Sequence, residues 1–141
     1  MKEAYPVYIA KYDKDFLVYV PDLDIYTEGS SPADAIAMAR DAICGKAVAL
    51  EAEQVCLPAA SDYEMAREKT IRSADDEQFQ YSKGICTLVD VDLDEYRRKL
   101  ENRSVKKNCT IPYRLSEAAD KAGINYSRIL QDALMEKLHM G

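Results

Sequence analysis

In the stretch KKNCTIP, residues 106–112, the polar side chains Lys106, Asn108 and Thr110 fall at alternate positions, so an extended backbone puts all three on one face. These side chains can read the edges of base pairs: Lys suits guanine, Asn can hold adenine through two hydrogen bonds, and Thr offers a hydroxyl and a methyl. Lys107, Cys109 and Ile111 take the other face, and Pro112 ends the extended run. A half-buried strand of this kind points small hydrogen-bonding groups at something outside itself.

A second constellation is DVDLD, which sets Asp90, Asp92 and Asp94 on one strand face. With Asp22 of PDLD contributed by another element, such carboxylates could serve a metal-dependent ribonuclease. Same-face neighbours on one strand, however, lie about 7 Å apart. Two-metal catalysis needs carboxylates converging from different elements on ions about 3.5–4 Å apart. The stretch therefore reads first as a solvated strand face running into a helix start, with Asp92 or Asp94 as the N-cap, and PDLD reads as a turn. A ribonuclease built on Asp22, Asp90 and Asp92 stays as an alternative. The lone histidine, His139, sits in the last helical turn, so no Cys–His or Ser–His–Asp set can be drawn. No catalytic residue, metal or cofactor is assigned.

The charge distribution favours the first constellation. Residues 1–102 carry 12 Lys and Arg against 21 Asp and Glu, a net of −9, whereas residues 103–141 carry 7 against 4, a net of +3. The overall −6 thus hides a basic tail behind an acidic body, an asymmetry that points to nucleic acid at the basic end. The four cysteines, Cys44, Cys56, Cys86 and Cys109, show no CxxC pair and read as reduced core residues. No run of 18 apolar residues and no secretory pattern appear, which makes a cytoplasmic location, away from membranes, the expectation.

The elements that must position these residues begin with YPVYIAKYD and FLVYVPDL, two strands joined by a tight turn around Asp13, followed by a third at about Ile25–Gly29. Ser31, Pro32 and Asp34 then mark a helix start, and Ile36, Ala39, Ile43, Ala47 and Leu50 give that helix one apolar face to lay on the sheet. Residues 58–84 are polar and weakly patterned and read as a loop with a short helix. ICTLVDVDL adds a fourth strand, and a charged linker helix over about residues 94–102 leads out of a small α+β body of order βββαβ. Tyr5, Tyr8, Tyr12, Tyr19 and Tyr26 crowd this body, half or more of them to cover the sheet and the rest available to an interface.

From residue 103 the pattern changes. Leu115, Ala118, Ala119 and Ala122 repeat at helical spacing up to Gly123, and Asn125 can cap a second helix striped by Tyr126, Ile129, Leu130, Ala133, Leu134 and Leu138. A unit of fewer than about 40 residues with no metal or disulfide does not ordinarily fold alone. Its single strand also has no partner for its backbone groups. Pairing with the same strand of a second chain, through residues 105–138, meets both needs and yields a two-stranded ribbon of a size to enter the major groove.

VKKNCTIPYRLSEAADKAGINYSRILQDALMEKL resembles a ribbon-helix-helix DNA-binding domain. The resemblance implies base contacts from Lys106, Asn108 and Thr110, and phosphate contacts from Asn125, Ser127 and Arg128 at the second helix start. The body, with its strand–hairpin–PDL–helix opening, is similar to the HicB antitoxins across nearly the whole chain. That similarity implies a partial ribonuclease H-like domain at residues 1–102 that binds a toxin, and a ribbon-helix-helix domain at 103–141. It further implies a HicA-type partner that cleaves mRNA, whose active site the antitoxin covers, and repression of the shared operon through operator DNA. An acidic body suits capture of a basic toxin. A stand-alone repressor whose body senses a ligand is the remaining alternative.

Overall fold

A computed structural model describes residues 2–140. The chain divides into two units, Met1–Arg103 and Ser104–Gly141. The first is α+β, as the alternating strand patterns predict.

Its strands are β1 (Lys2–Tyr12), β2 (Asp15–Val20), β3 (Ile25–Gly29) and β4 (Ile85–Asp92), arranged as one antiparallel sheet of order β3-β2-β1-β4. The β1–β2 turn is Asp13–Lys14, with Asp13 at positive φ, and it sets Tyr8 opposite Tyr19 and Tyr12 opposite Asp15. β4 returns to the other side of β1 with Ile85 opposite Ile9 and Asp92 opposite Lys2.

Helix α1 (Pro32–Ala52) starts where its signals place it: the Ser31 side chain accepts from the Asp34 N–H, and Pro32 occupies the first turn. Its buried residues are Ala35, Ala39, Ile43, Cys44 and Ala47, and Ile36 and Leu50 are packed partly against the same core. These meet Tyr5, Val7, Ile9, Val18, Val20, Val89 and Val91, the side chains that strand alternation sends to one face of the sheet. The small residues of α1 bring its backbone close to the sheet. At Gly29 an added Cβ would collide with the backbone of Ala35, so the strand-to-helix corner requires glycine.

The opposite face is covered too, by the segment that shows no sustained pattern in the sequence. Helix α2 (Tyr63–Ser73), capped by Asp62, buries Ala66 and Thr70, and a single 3-10 turn at Tyr81–Lys83 follows. Tyr8 and Tyr19 are buried on this face. Phe79 and Tyr81 stack edge-on, Tyr81 meets Tyr19 and Tyr26, and Phe79 meets Tyr12, with ring centroids 4.9–5.9 Å apart. Tyr26 Oη donates to the Ser73 carbonyl at 3.2 Å, and Tyr5 Oη, on the α1 side, donates to Pro58 O at 2.6 Å. The tyrosines thus serve largely as sheet cover: Tyr5, Tyr8 and Tyr19 are buried, Tyr12 and Tyr26 exposed. Helix α3 (Leu93–Glu101) closes the unit, with Asp92 as its cap, accepting from the N–H groups of Asp94 and Glu95.

The expectation for the cysteines is corrected in part. Cys44 is buried, but Cys86 is half-buried and Cys56 and Cys109 are exposed. Cys56 lies in the irregular segment after α1, and Cys109 lies in the tail, where no described residue is buried. Among the described residues no helix is long and apolar enough to cross a membrane.

Candidate nucleic-acid interface

The second unit contains helices α4 (Tyr113–Ala122) and α5 (Tyr126–Leu138). Gly123 ends α4 in the left-handed region (φ 66°), and the Ile124 N–H returns to Ala119 O at 3.2 Å, a Schellman-type stop. Asn125 then opens α5, its side chain accepting from the Arg128 N–H at 3.1 Å. Tyr126 of α5 donates its hydroxyl proton to the Asp120 carboxylate, with Ser116 O 3.4 Å from the same oxygen, fixing the two helices to one another. That carboxylate raises the Tyr126 pKa.

Residues 103–112, expected to hold a strand, are irregular. The physical reason is the one the sequence implies: a strand needs a partner for its backbone, and this chain offers it none. Lys106, Asn108 and Thr110 are all exposed, as are Cys109 and Ile111. Asn125, Ser127, Arg128, Gln131, Asp132 and Met135 line a shallow depression at the start of α5. The cap consumes the Arg128 N–H. By helix geometry the N–H groups of Tyr126 and Ser127 have no intrahelical acceptor, so the depression can receive a phosphate oxygen, with the Arg128 guanidinium beside it.

Within this unit no described residue is buried, and only Ser116 and Ala119 are half-covered. Leu115, Tyr126, Ile129, Leu130, Leu134 and Leu138, the apolar stripe of the sequence, are exposed. An uncovered stripe of this length marks an interaction surface.

The carboxylates of the alternative reading have other occupations. Asp22, in the turn after β2, has a side chain with no exposure; it accepts from the Ser61 N–H at 2.8 Å, from Ser61 Oγ, and from Lys69 Nζ at 2.8 Å. Burial alone would raise its pKa, but the hydrogen bonds from Lys69 and Ser61 prevail and hold it below the ordinary value. Asp90 is paired with Arg40, whose Nη2 reaches Oδ1 at 3.0 Å and whose hydrogen bond lowers the Asp90 pKa. Asp92 caps α3. The three do not come together, and among the described residues no group of three His, Cys, Asp or Glu side chains could hold a metal. Arg40, Ser61 and Lys69 were not legible as partners, since each lies 39–50 residues from the aspartate it serves.

The family model described as HicB_like antitoxin of bacterial toxin-antitoxin system matches residues 5–133. No curated protein matches the chain. Among solved structures it is similar to a chain of a toxin–antitoxin complex from Streptococcus pneumoniae, with 24% identity and a TM-score of 0.57 over 97% of this chain and 99% of that one. That likeness supports the fold. Looser matches, each with a TM-score of 0.49, are the antitoxin HicB of Burkholderia pseudomallei (26% identity, 98% of both chains) and the antitoxin HicB3 (29% identity, 96% of this chain and 97% of that one). With the family match spanning both units, the chain belongs to the HicB-like antitoxins of bacterial toxin–antitoxin systems.

Proposed function

We propose that this antitoxin works as a homodimer that neutralises a HicA-type toxin with its acidic body and represses its own operon with its basic tail. The observation that carries the reading is the tail itself, which bears a continuous apolar stripe and buries nothing. Two copies would cover the stripes of α4 and α5 against one another and pair residues 104–112 as an antiparallel ribbon. Cys109 and Ile111 then turn inward, and Lys106, Asn108 and Thr110 form a common outward face for the major groove. Lys107 takes an inward position and can extend its ammonium to solvent at the strand end. Asn125, Ser127 and Arg128 hold the flanking phosphates and set the register.

The body supplies the toxin-binding role. Its net charge of −9 attracts an RNA-binding, basic partner and speeds encounter, and the antitoxin blocks the toxin by covering its active site.

The test is a gel-shift titration on the DNA upstream of the reading frame. Asn108→Ala lowers operator affinity by about 1–3 kcal/mol and leaves the dimer intact. Affinity falls with salt at a log–log slope of about −0.9 per neutralised phosphate. Wild-type affinity in Asn108→Ala would reject the assigned face. Co-purification with the product of the adjacent reading frame, and loss of that product's RNA cleavage on mixing, tests the other half.

A further inference from the structure

The body carries a sheet edge that is open along one half and stopped along the other. Strand β4 lies at the margin of the sheet. Its pairing with β1 sets Leu88 opposite Pro6, which has no N–H to give. The β1–β4 hydrogen bonds therefore fall at the odd-numbered residues, and the backbone groups of Cys86, Leu88 and Asp90 point outward. Two contacts agree with this. Arg40 Nε donates to Asp90 O at 2.9 Å, reaching round from α1, and Thr87 Oγ1 lies 3.5 Å from Leu88 O.

Arg40 thus occupies the edge at Asp90, while among the described residues nothing closes on the outward N–H groups of Cys86 and Leu88. Open edges are usually guarded by lysine, proline or a bulge. Here the open half instead carries two large apolar side chains, Ile85 at 72% and Leu88 at 68% exposure, one on each face. Beside Ile85 runs a groove of about 780 Å³ whose apolar lining is Ile9, Phe16, Ile36, Phe79 and Ile85, with Lys11, Glu77 and Lys83 as its charged members.

We propose that the toxin docks on the antitoxin by adding a short extended segment to β4 over Ile85–Leu88, with one apolar side chain entering the groove beside Ile85 and another covering Leu88. The proposal rests on the toxin-neutralising reading above. Strand addition takes affinity from main-chain hydrogen bonds and specificity from alternate side chains, and this edge offers both. Charge selects the occupant. Two bodies of net −9 repel one another, and full-length pairing of two β4 strands would need the Asp90 carbonyl that Arg40 holds. A basic toxin is attracted by the body's overall charge and not by the groove itself, where Lys11 and Lys83 outnumber Glu77. The segment that enters the edge is therefore itself apolar, and it can end before Asp90.

The test uses the full-length antitoxin and the toxin of the adjacent reading frame in a catalytically disabled form. Ile85→Lys and Leu88→Lys change exposed side chains, so the fold survives, and each is expected to weaken binding by about tenfold or more. Met65→Lys, an exposed change on α2, keeps wild-type affinity within about twofold. Amide exchange at Cys86 and Leu88 slows in the complex and not in the free antitoxin. Wild-type affinity in both edge variants, or unchanged exchange at those amides, overturns the docking mode and leaves toxin neutralisation standing. Protection of the amides without toxin would assign the edge to a second copy and overturn it equally. A wild-type protein that does not bind the toxin sinks both readings.

Discussion

The two units of this chain differ in where their apolar surface goes. In residues 2–103 the sheet is covered on both faces, by α1 on one and by the 58–84 segment on the other, and the large side chains at its centre are out of water, while Tyr12, Tyr26, Ile85 and Leu88 stay exposed. In residues 104–140 helices of ordinary quality, with a capped start and a left-handed stop, bury nothing. Local signals make helices in both units, but only the first has a core of its own to hold them together. One unit is complete as a single chain, and the other, on the reading proposed above, is half of a structure whose remainder is a second copy.

The sharpest way to separate them is a core deletion. Ile43 is fully buried between α1 and the sheet, so Ile43→Ala should destabilise the body by about 2–5 kcal/mol, the range for a large-to-small change in a packed core. The denaturant midpoint reports it, and it should not depend on protein concentration. If that midpoint moves with concentration, the body too is stabilised by assembly, and the contrast fails.

A smaller loss probes what ties the second layer down. Lys69→Met leaves the Asp22 carboxylate buried with only Ser61 to answer it and should cost about 3 kcal/mol, the low end for a broken buried pair because Lys69 is itself partly exposed. The pH dependence has a definite sign. Asp22 titrates lower in the folded chain than in the unfolded one, so its contribution is complete above the unfolded value of about 3.9 and is lost as pH falls through the folded value. Urea midpoints measured from pH 5 down to pH 3 should therefore decline more steeply in wild type than in Asp22→Asn. Equal slopes would place the acid sensitivity elsewhere.

This clamp marks the limit of what the residues disclose by themselves. Ser31, Pro32, Gly123 and Asn125 act within one helical turn of their own positions, and each is found where its type and spacing put it. Strand alternation likewise reveals the hairpin and the order of the α+β body. The cover at 58–84 is different. Helix α2 buries only Ala66 and Thr70, too few and too small to print a period, and its anchors are the Tyr26 hydroxyl and the Asp22 carboxylate, contributed by distant segments. The open half of β4 was equally hidden, since which backbone groups face outward depends on the register with Pro6. Lys106, Asn108 and Thr110, proposed above to read bases, are visible as a pattern of alternation, but the strand that would align them does not form in one chain.

In the tail the expected effects appear as assembly. Leu134→Ala removes part of the α5 stripe that a dimer would cover, worth about 1.5–3 kcal/mol for a fully buried leucine. Sedimentation equilibrium should show the dimer dissociating at higher concentration, while the thermal midpoint of the body stays put. A dimer of unchanged affinity would mean that the stripe is not the interface.

The smallest effect tests whether the tail is prebuilt before it assembles. Gly123 turns the chain between α4 and α5 at φ 66°, and an added Cβ there meets nothing within 4 Å, so Gly123→Ala introduces backbone strain without any clash. The left-handed conformation costs a non-glycine residue about 1–2 kcal/mol. Because the Tyr126–Asp120 contact lies across this turn, the strain falls on the angle between the two helices as well as on the stop of α4. Dimer affinity should drop by that amount, about five- to thirtyfold, with a parallel loss of DNA binding that excess protein restores. The Ile43 core should not register the change. If Gly123→Ala leaves the dimer unchanged and still abolishes DNA binding at saturating protein, the turn acts on the DNA-reading geometry itself, and the helices of the tail are set by the duplex rather than by their own local signals.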